Sequence, residues 1–405
     1  MTATATEPST SRGSDDKPQE NVLRSIVESN GLVVFLAILS ALVVGALLVA
    51  LSDEPVQHAS GYFFSRPSDT FSAAWTAISN AYIAMFQGSI YNVHASTFAA
   101  GIKPLTNTLT FSAPLIFAGL GLGVGFRAGL FNIGAQGQVI LGATMAGYVG
   151  FHFHLPLGIH LAVAVIGAIL GGALWGFIPG LLKATTGAHE VIVTIMLNYV
   201  ALYGLAWLLS HKSWQVPGSG NPKSPQIDTN AQWPHMFGDS YNLHWGFVVA
   251  VAAAVGVWWL MERSTLGFTF RAVGANAAAA TKSGMNVKLT YVLVMVVAGA
   301  LAGLAGGSQV LGTEKALTGG IAGSIGFDAI TVALLGRSRP AGIVAAGILF
   351  GGLRASGPTL QAQAGLPIDI VLVIQSVIVL FIAAPPLVRF LFRLPDPRHP
   401  KEVTA

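Results

Sequence analysis

The residues in this sequence best placed to do chemistry are not nucleophiles or metal ligands but amides, a hydroxyl and one carboxylate set in apolar surroundings. Asn132, Gln136 and Gln138 fall within the run 119–143, GLGLGVGFRAGLFNIGAQGQVILGA, which also holds Arg127. Glu190, Thr194 and Asn198 follow at i, i+4 and i+8 in HEVIVTIMLNYVALYG, so a helix stacks them on one face. Side chains of these types recognise hydroxyls and carbonyls by hydrogen bonding. Polar groups at membrane depth are costly unless they line a cavity or face the protein interior. For the first group the alternatives are a broken helix beside a polar solute path, or a short loop whose glycines let helices pack closely. For the second they are a path-lining stripe, or Glu190 complementing a helix N-terminus while Thr194 and Asn198 bond neighbouring helices.

Catalysis has little support. There is no HExxH, no GxSxG, and no GxxxxGK[ST] to cradle nucleotide phosphates. Any ATP used with this chain must therefore be bound, with its magnesium, by another subunit if a P-loop does the work; the chain itself calls for no cofactor. The absence of cysteine excludes disulfides, thiolate chemistry and Cys-ligated metals. His152, His154 and His160 are close enough in sequence to suggest a metal, but histidines at a membrane interface explain them as well, and no metal site is expected. Glu314, Asp328 and Asp369 stand near span ends without a His or Lys partner, so a proton relay is a minor alternative.

These residues need a membrane scaffold to position them. Hydrophobic residues make up 53% and charged residues 9%, and the mean hydropathy is +0.65. Such a chain cannot cover a soluble globule with polar surface. The expected fold is all-α and polytopic, with about ten transmembrane helices, some discontinuous. The apolar runs are 31–51, 105–126, 133–150, 157–182, 191–209, 245–261, 289–311, 321–335, 342–353 and 368–392. Two of them, 321–335 and 342–353, are short and glycine-rich and read as half-helices or re-entrant segments. The segment 73–90 reads either as an interfacial helix or as one packed on the bundle. The phrases IGAQGQVILGA at Ile133 and IGFDAITVALLG at Ile325 are faintly alike and raise the possibility of a two-fold repeat.

With an N-terminus inside, ten crossings leave only Arg66, Lys103, Lys212, Lys223, Lys315 and Arg354 of the 21 basic residues outside. That bias obeys the positive-inside rule and places both termini, and a multi-pass protein of the cell membrane, accordingly. The basic residues form no aromatic-interleaved patch, so nucleic acid is not an expected partner. The organisation is then a cytoplasmic tail (1–30), a membrane domain (31–392) and a second cytoplasmic tail (393–405). An extracellular loop covers 210–244 and a cytoplasmic loop 263–288. Within the latter, Asn276 suits an N-cap, 277–280 is a run of alanine, Lys282 suits a last turn and Gly284 a C′ position. A mere connector needs no such helix, which points to a docking element for a cytoplasmic partner, with a packed or interfacial turn as the alternative.

Four segments in this order, GFRAGLFNIGAQGQ from Gly125, EVIVTIMLNYVA from Glu190, LGFTFRAVGANAAAATKSGM from Leu266 and GFDAITVALLGRSRPAG from Gly326, resemble the permease family of ABC importers for branched-chain amino acids, simple sugars and nucleosides. The likeness runs from about residue 100 to about residue 390, with the nucleoside branch nearest. It implies a permease subunit of an ATP-driven importer that works with a cytoplasmic ABC ATPase, a second permease subunit, identical or merely homologous, and an extracytoplasmic substrate-binding lipoprotein. The solute is then a small neutral polar molecule, a nucleoside first, a simple sugar as the alternative and an ion-coupled secondary transporter as the less favoured one. The resemblance places Arg271, Gly274, Asn276, Lys282 and Gly284 in the ATPase-coupling region, and Asn132, Gln136, Gln138, Glu190, Thr194 and Asn198 near the substrate path. The family often has Glu where Gln136 stands and Asn where His189 stands.

Overall fold

The computed structural model describes residues 30–394. The expected tails, 1–30 and 393–405, lie almost wholly outside the described residues. In chain order the helices are α1 (Asn30–Ser52), α2 (Glu54–Ser60), α3 (Pro67–Ser89), α4 (Phe98–Gly101), α5 (Lys103–Arg127), α6 (Ala135–His152), α7 (Ile159–Thr186) and α8 (Glu190–Ser210). They continue with α9 (Gly246–Arg263), α10 (Thr265–Ala275), α11 (Ala277–Lys282), α12 (Val287–Ser308), α13 (Ile325–Leu335), α14 (Pro340–Ala364), α15 (Asp369–Ala383) and α16 (Pro385–Leu391). The chain is a polytopic all-α membrane protein. Stretches within α1, α7, α8, α9 and α14, and within the longer segments containing α5 and α12, are long and apolar enough to cross a bilayer, seven among the described residues. The expectation of about ten spans therefore extends to α6, α13 and α15, which are shorter or more polar.

Glycine sets the packing at the centre. On α12, Gly299 and Gly303 press against the backbone carbonyls of Gly172 and Ala168 on α7, while Gly306 meets that of Val139 on α6. A side chain at any of these would occupy the space of a neighbouring backbone. In a bilayer, where apolar surface gains nothing from leaving lipid, such close approach is what holds helices together. The other half repeats the theme: Gly347 and Gly351 of α14 lie on Ile116 and on Ser112 and Thr108 of α5.

Helix α5 starts at one face, here the Lys103 face, and ends at the other, the Arg127 face. Gly123 of α5 lies near Ser338, so α14 starts at the Arg127 face and runs back. Val33 and Val388 pack together, and Gly45 lies on Ile374, so α1 rises from the Arg127 face beside α15. Helix α3 does not cross. Thr70 near its start donates to the Ala59 carbonyl of α2, and Ser89 at its end accepts from Thr108, early in α5. Both ends thus belong to the Lys103 face. Its Ala77, Ala81, Ala84 and Met85 are buried while Phe71 and Trp75 are exposed, as in a helix lying obliquely along an interface.

Two expectations about spans are corrected. The stretch 342–353 is not a half-helix; α14 continues unbroken through Arg354 and Pro358 to Ala364. A charge and a proline mimic a helix end in sequence, but α14 packs along α5, and Arg354 and Pro358 both sit within the helix. The stretch 368–392 is not one span either. Pro385 forces Ala384 out of helical geometry, to φ −117° and ψ 67°, and separates α15 from α16.

Candidate functional site

Two helices begin inside the bundle rather than at a face. Helix α6 is preceded by the coil 128–134, and α13 by the coil 315–324, which follows a wide π-type turn at Gln309–Glu314. The starts of α6 and α13 meet. Gln136 donates from Nε2 to the Gly323 carbonyl (2.7 Å) and accepts at Oε1 from the Gly326 amide (2.8 Å). Gly326 lies directly on the Gln136 backbone. From this junction α6 runs to the Lys103 face, where Gly150 meets Ile227, and α13 runs to the Arg127 face. The two glycine-bearing phrases at Ile133 and Ile325 are thus the openings of a pair of opposed half-helices. The pairing extends outward: α5–α6–α7 and α12–α13–α14 are arranged alike, with α7 on α12 and α14 on α5. This is the organisation of an inverted repeat.

The sequence-predicted polar residues hold this break. Asn132 is buried, accepts from the Gly134 amide (2.9 Å) and donates to Gln138 Oε1 (3.1 Å). Asn198 of α8 accepts from the Gly137 amide (2.8 Å) and donates to the Ile133 carbonyl (2.9 Å), so it satisfies backbone groups that the start of α6 would otherwise leave bare. Thr194 is buried against Gly134 and bonds back to the Val191 carbonyl (3.1 Å). Glu190 forms an ion pair with Lys183 at 2.5 Å across the short α7–α8 turn. The structure therefore brings Asn132, Gln136, Gln138, Thr194 and Asn198 into one cluster and leaves Glu190 at its edge. What is open beside this junction is backbone: Gly323 is exposed, and so are Phe131 and Phe327 near the starts of the two half-helices. Irregular backbone at membrane depth persists only where it lines a water-filled space or protein.

At the Arg127 face, α10 is capped by Ser264, which accepts from the Gly267 amide, and α11 by Asn276, which accepts from the Ala279 amide (3.0 Å). Gly284 follows α11 with φ +81°, and the Met285 amide returns to the Ala280 carbonyl, a Schellman ending. Most of α11, Lys282 included, is exposed. Gly274 of α10 presses on the backbone of Arg127 and Ala128, where any side chain would collide. Glu262, at the end of α9, accepts from Arg127 (2.5 Å) and from Arg271 (2.6 Å).

Residues 105–383 match the family described as the branched-chain amino acid transport system / permease component. The chain belongs to this permease family. Among its relatives, the guanosine ABC transporter permease protein NupP of Bacillus subtilis (strain 168) is 38% identical over 89% of this chain and 95% of its own length. The glucose ABC transporter permease protein TsgB13 of Haloferax volcanii is 35% identical over 69% of this chain and 75% of its own. The nucleoside ABC transporter permease protein NupB of Lactococcus lactis subsp. cremoris is 36% identical over 69% and 79%. No solved structure matches.

The role of this permease is transport, not catalysis, and it accordingly lacks the nucleotide motifs noted above. Among the described residues no three His, Cys, Asp or Glu side chains converge as a metal site. His160 bonds instead to the Val149 carbonyl (3.0 Å), and His152 stacks on Tyr148. Asp328 accepts from Ser324 (2.7 Å) close to Arg354, whose guanidinium lies 5.7 Å from the Phe111 ring centre. Sequence reasoning missed Glu262 and Arg354. The signal for Glu262 was a lone acid among Arg127, Arg263 and Arg271; for Arg354 it was a charge in a stretch otherwise able to cross the bilayer.

Proposed function

We propose that this permease forms one side of the translocation path of an ATP-driven importer of nucleosides. The observation that carries the solute class is the likeness to a guanosine permease protein along nearly the whole of both chains. The site's chemistry supports it: amides and free backbone at the α6–α13 junction suit a neutral, hydroxyl-bearing solute. In this reading Asn132, Gln138, Thr194 and Asn198 shape the path by holding the broken segment, Glu190 anchors the start of α8, and Gln136 borders the path. Arg271, Gly274, Asn276, Lys282 and Gly284 present α10 and α11 to a cytoplasmic ATPase that binds ATP and magnesium. The Arg127 face and both termini are then cytoplasmic, loop 210–244 is extracellular and meets a substrate-binding lipoprotein, and a second permease subunit completes the path. A sugar substrate is the second reading, favoured by the glucose permease protein of similar identity.

The test is ATP hydrolysis by the chain reconstituted with its ATPase, second permease and binding protein, with nucleosides or simple sugars added and with Arg271→Glu in parallel. Stimulation by nucleosides that Arg271→Glu abolishes is the expected result. Stimulation by sugars alone replaces the solute, and uptake without any ATPase overturns the importer.

A further inference from the structure

A concavity of about 600 Å³ opens at the Lys103 face inside this one subunit. It lies between the end of α3, the start of α5, the late turns of α14, the segment around 235–242 and the π-type turn. Lys103 and Lys315 line it together with His235, and no Asp or Glu does. Neither lysine meets a carboxylate within ion-pair distance among the described residues. The neighbouring Glu314 is exposed and takes its hydrogen bond from Gln309 at 3.4 Å. Lys315 has a left-handed backbone, φ 54°, and its Nζ lies 3.5 Å from His235 Nε2. A non-glycine residue in that conformation is uncommon and requires surrounding structure to fix it.

The remaining lining is of two kinds. Asn107 and Asn242 are paired at 2.9 Å and offer further donors and acceptors. Phe111 also lines the cavity, and Arg354 lies over its ring. Two positive charges, the exposed Lys103 and the half-buried Lys315, with no carboxylate in the same lining favour an anion. An aromatic side chain in the same wall favours a planar ring, which stacks on it with little loss of freedom. The volume falls within the range of small-ligand sites and accommodates a ring, a sugar and a phosphate. The bilayer supplies phosphates too, but a lipid headgroup offers no planar ring for Phe111.

We propose that this cavity binds a small organic anion that joins a planar ring to a phosphate, the chemistry of a nucleoside monophosphate. The cavity opens at the Lys103 face and adjoins the α6–α13 junction through Arg354, which lies over Phe111 and beside Gly323; the proposal concerns the cavity's own lining and not the solute that the junction carries.

The test uses the full transporter in nanodiscs of zwitterionic lipid, with radiolabelled guanosine monophosphate as the probe and with guanosine and inorganic phosphate as competitors. Saturable binding is expected, weakened at least tenfold by Lys103→Gln with Lys315→Gln and weakened by salt. Phe111→Leu is expected to lower affinity for the monophosphate while leaving that for inorganic phosphate unchanged, which a misfolded protein would not do. Absent saturable binding, equal binding by the lysine variants, or full competition by guanosine would overturn the proposal. So would displacement of the probe by an anionic phospholipid as effectively as by unlabelled monophosphate, which would assign the charges to a lipid.

Discussion

A single side chain can decide whether a helix is able to start inside a membrane, and Asn198 is that residue for α6. Its two hydrogen bonds satisfy the Gly137 amide and the Ile133 carbonyl. Asn198→Ala would leave both buried groups bare, at a cost of about 3 kcal/mol, and the expected outcome is a clearly lower melting midpoint in detergent. Gln136 behaves differently because it is partly exposed and joins two half-helices. Gln136→Leu is expected to lower uptake at least tenfold while shifting the melting midpoint little. Gln136→Glu keeps the acceptor for the Gly326 amide and should retain much of the activity. His244 tests acid sensitivity. It is fully buried, and burial first, then the nearby charges of His235 and Lys315, lowers its pKa from 6.5 to about 4. In this range the unfolded chain binds the proton and the folded one does not, so stability rises with pH. Acidification from about pH 6.5 to about pH 4 should therefore remove about 3 kcal/mol, which His244→Gln would spare. Melting curves across that range, for both proteins, measure the difference.

At the scale of elements, what was legible in the sequence was whatever is fixed locally. Helix α11 could be read from Asn276 to Gly284 because capping, alanine propensity and a positive-φ glycine act within a few residues. The shortness of α13 was legible too, because the run 321–335 is too short to cross a bilayer, although the helix starts only at Ile325. Arg354 and Pro358 misled, because their tolerance inside α14 comes from α5 and from the cavity, which are distant in sequence. The bonding of Asn132 to Gln138 and of Asn198 to the α6 start was likewise hidden, since a polar stripe looks the same whether it faces solute or a neighbouring backbone. The glycines of α12 are the clearest case of function at this scale. Gly303 touches α6 and α7 together, facing Gly142 and the Ala168 carbonyl. Gly303→Val must push three helices apart, and little correctly inserted protein is expected by size-exclusion profile, whereas Gly204→Ala, where open space surrounds the glycine, should be neutral.

Across the whole molecule, the physical route from the Arg127 face to the junction is short and continuous. Arg271 on α10 and Arg127 at the end of α5 share Glu262, and Gly274 lies on the Arg127 and Ala128 backbone. Ala128 opens the coil whose Asn132 fixes the start of α6, and Gln136 in the first turn of that helix makes its contact with α13. In the proposed cycle, movement of α10 and α11 by an ATPase would reach the junction through this backbone. The ion pairs themselves are partly exposed, so they stabilise little, on the order of 1 kcal/mol or less. Their value would lie in keeping α10 and α5 moving as one body. Glu262→Gln weakens both bonds without adding bulk, and Gly274 still seats α10. It should therefore leave expression and melting almost unchanged while lowering solute uptake per ATP hydrolysed severalfold in the reconstituted complex. Swapping charges, Glu262→Arg with Arg127→Glu and Arg271→Glu, restores the attraction and should recover part of that ratio, provided the ATPase reads the shape of this face rather than Arg271 itself. An unchanged ratio in Glu262→Gln would show that coupling passes through Gly274 and the backbone alone.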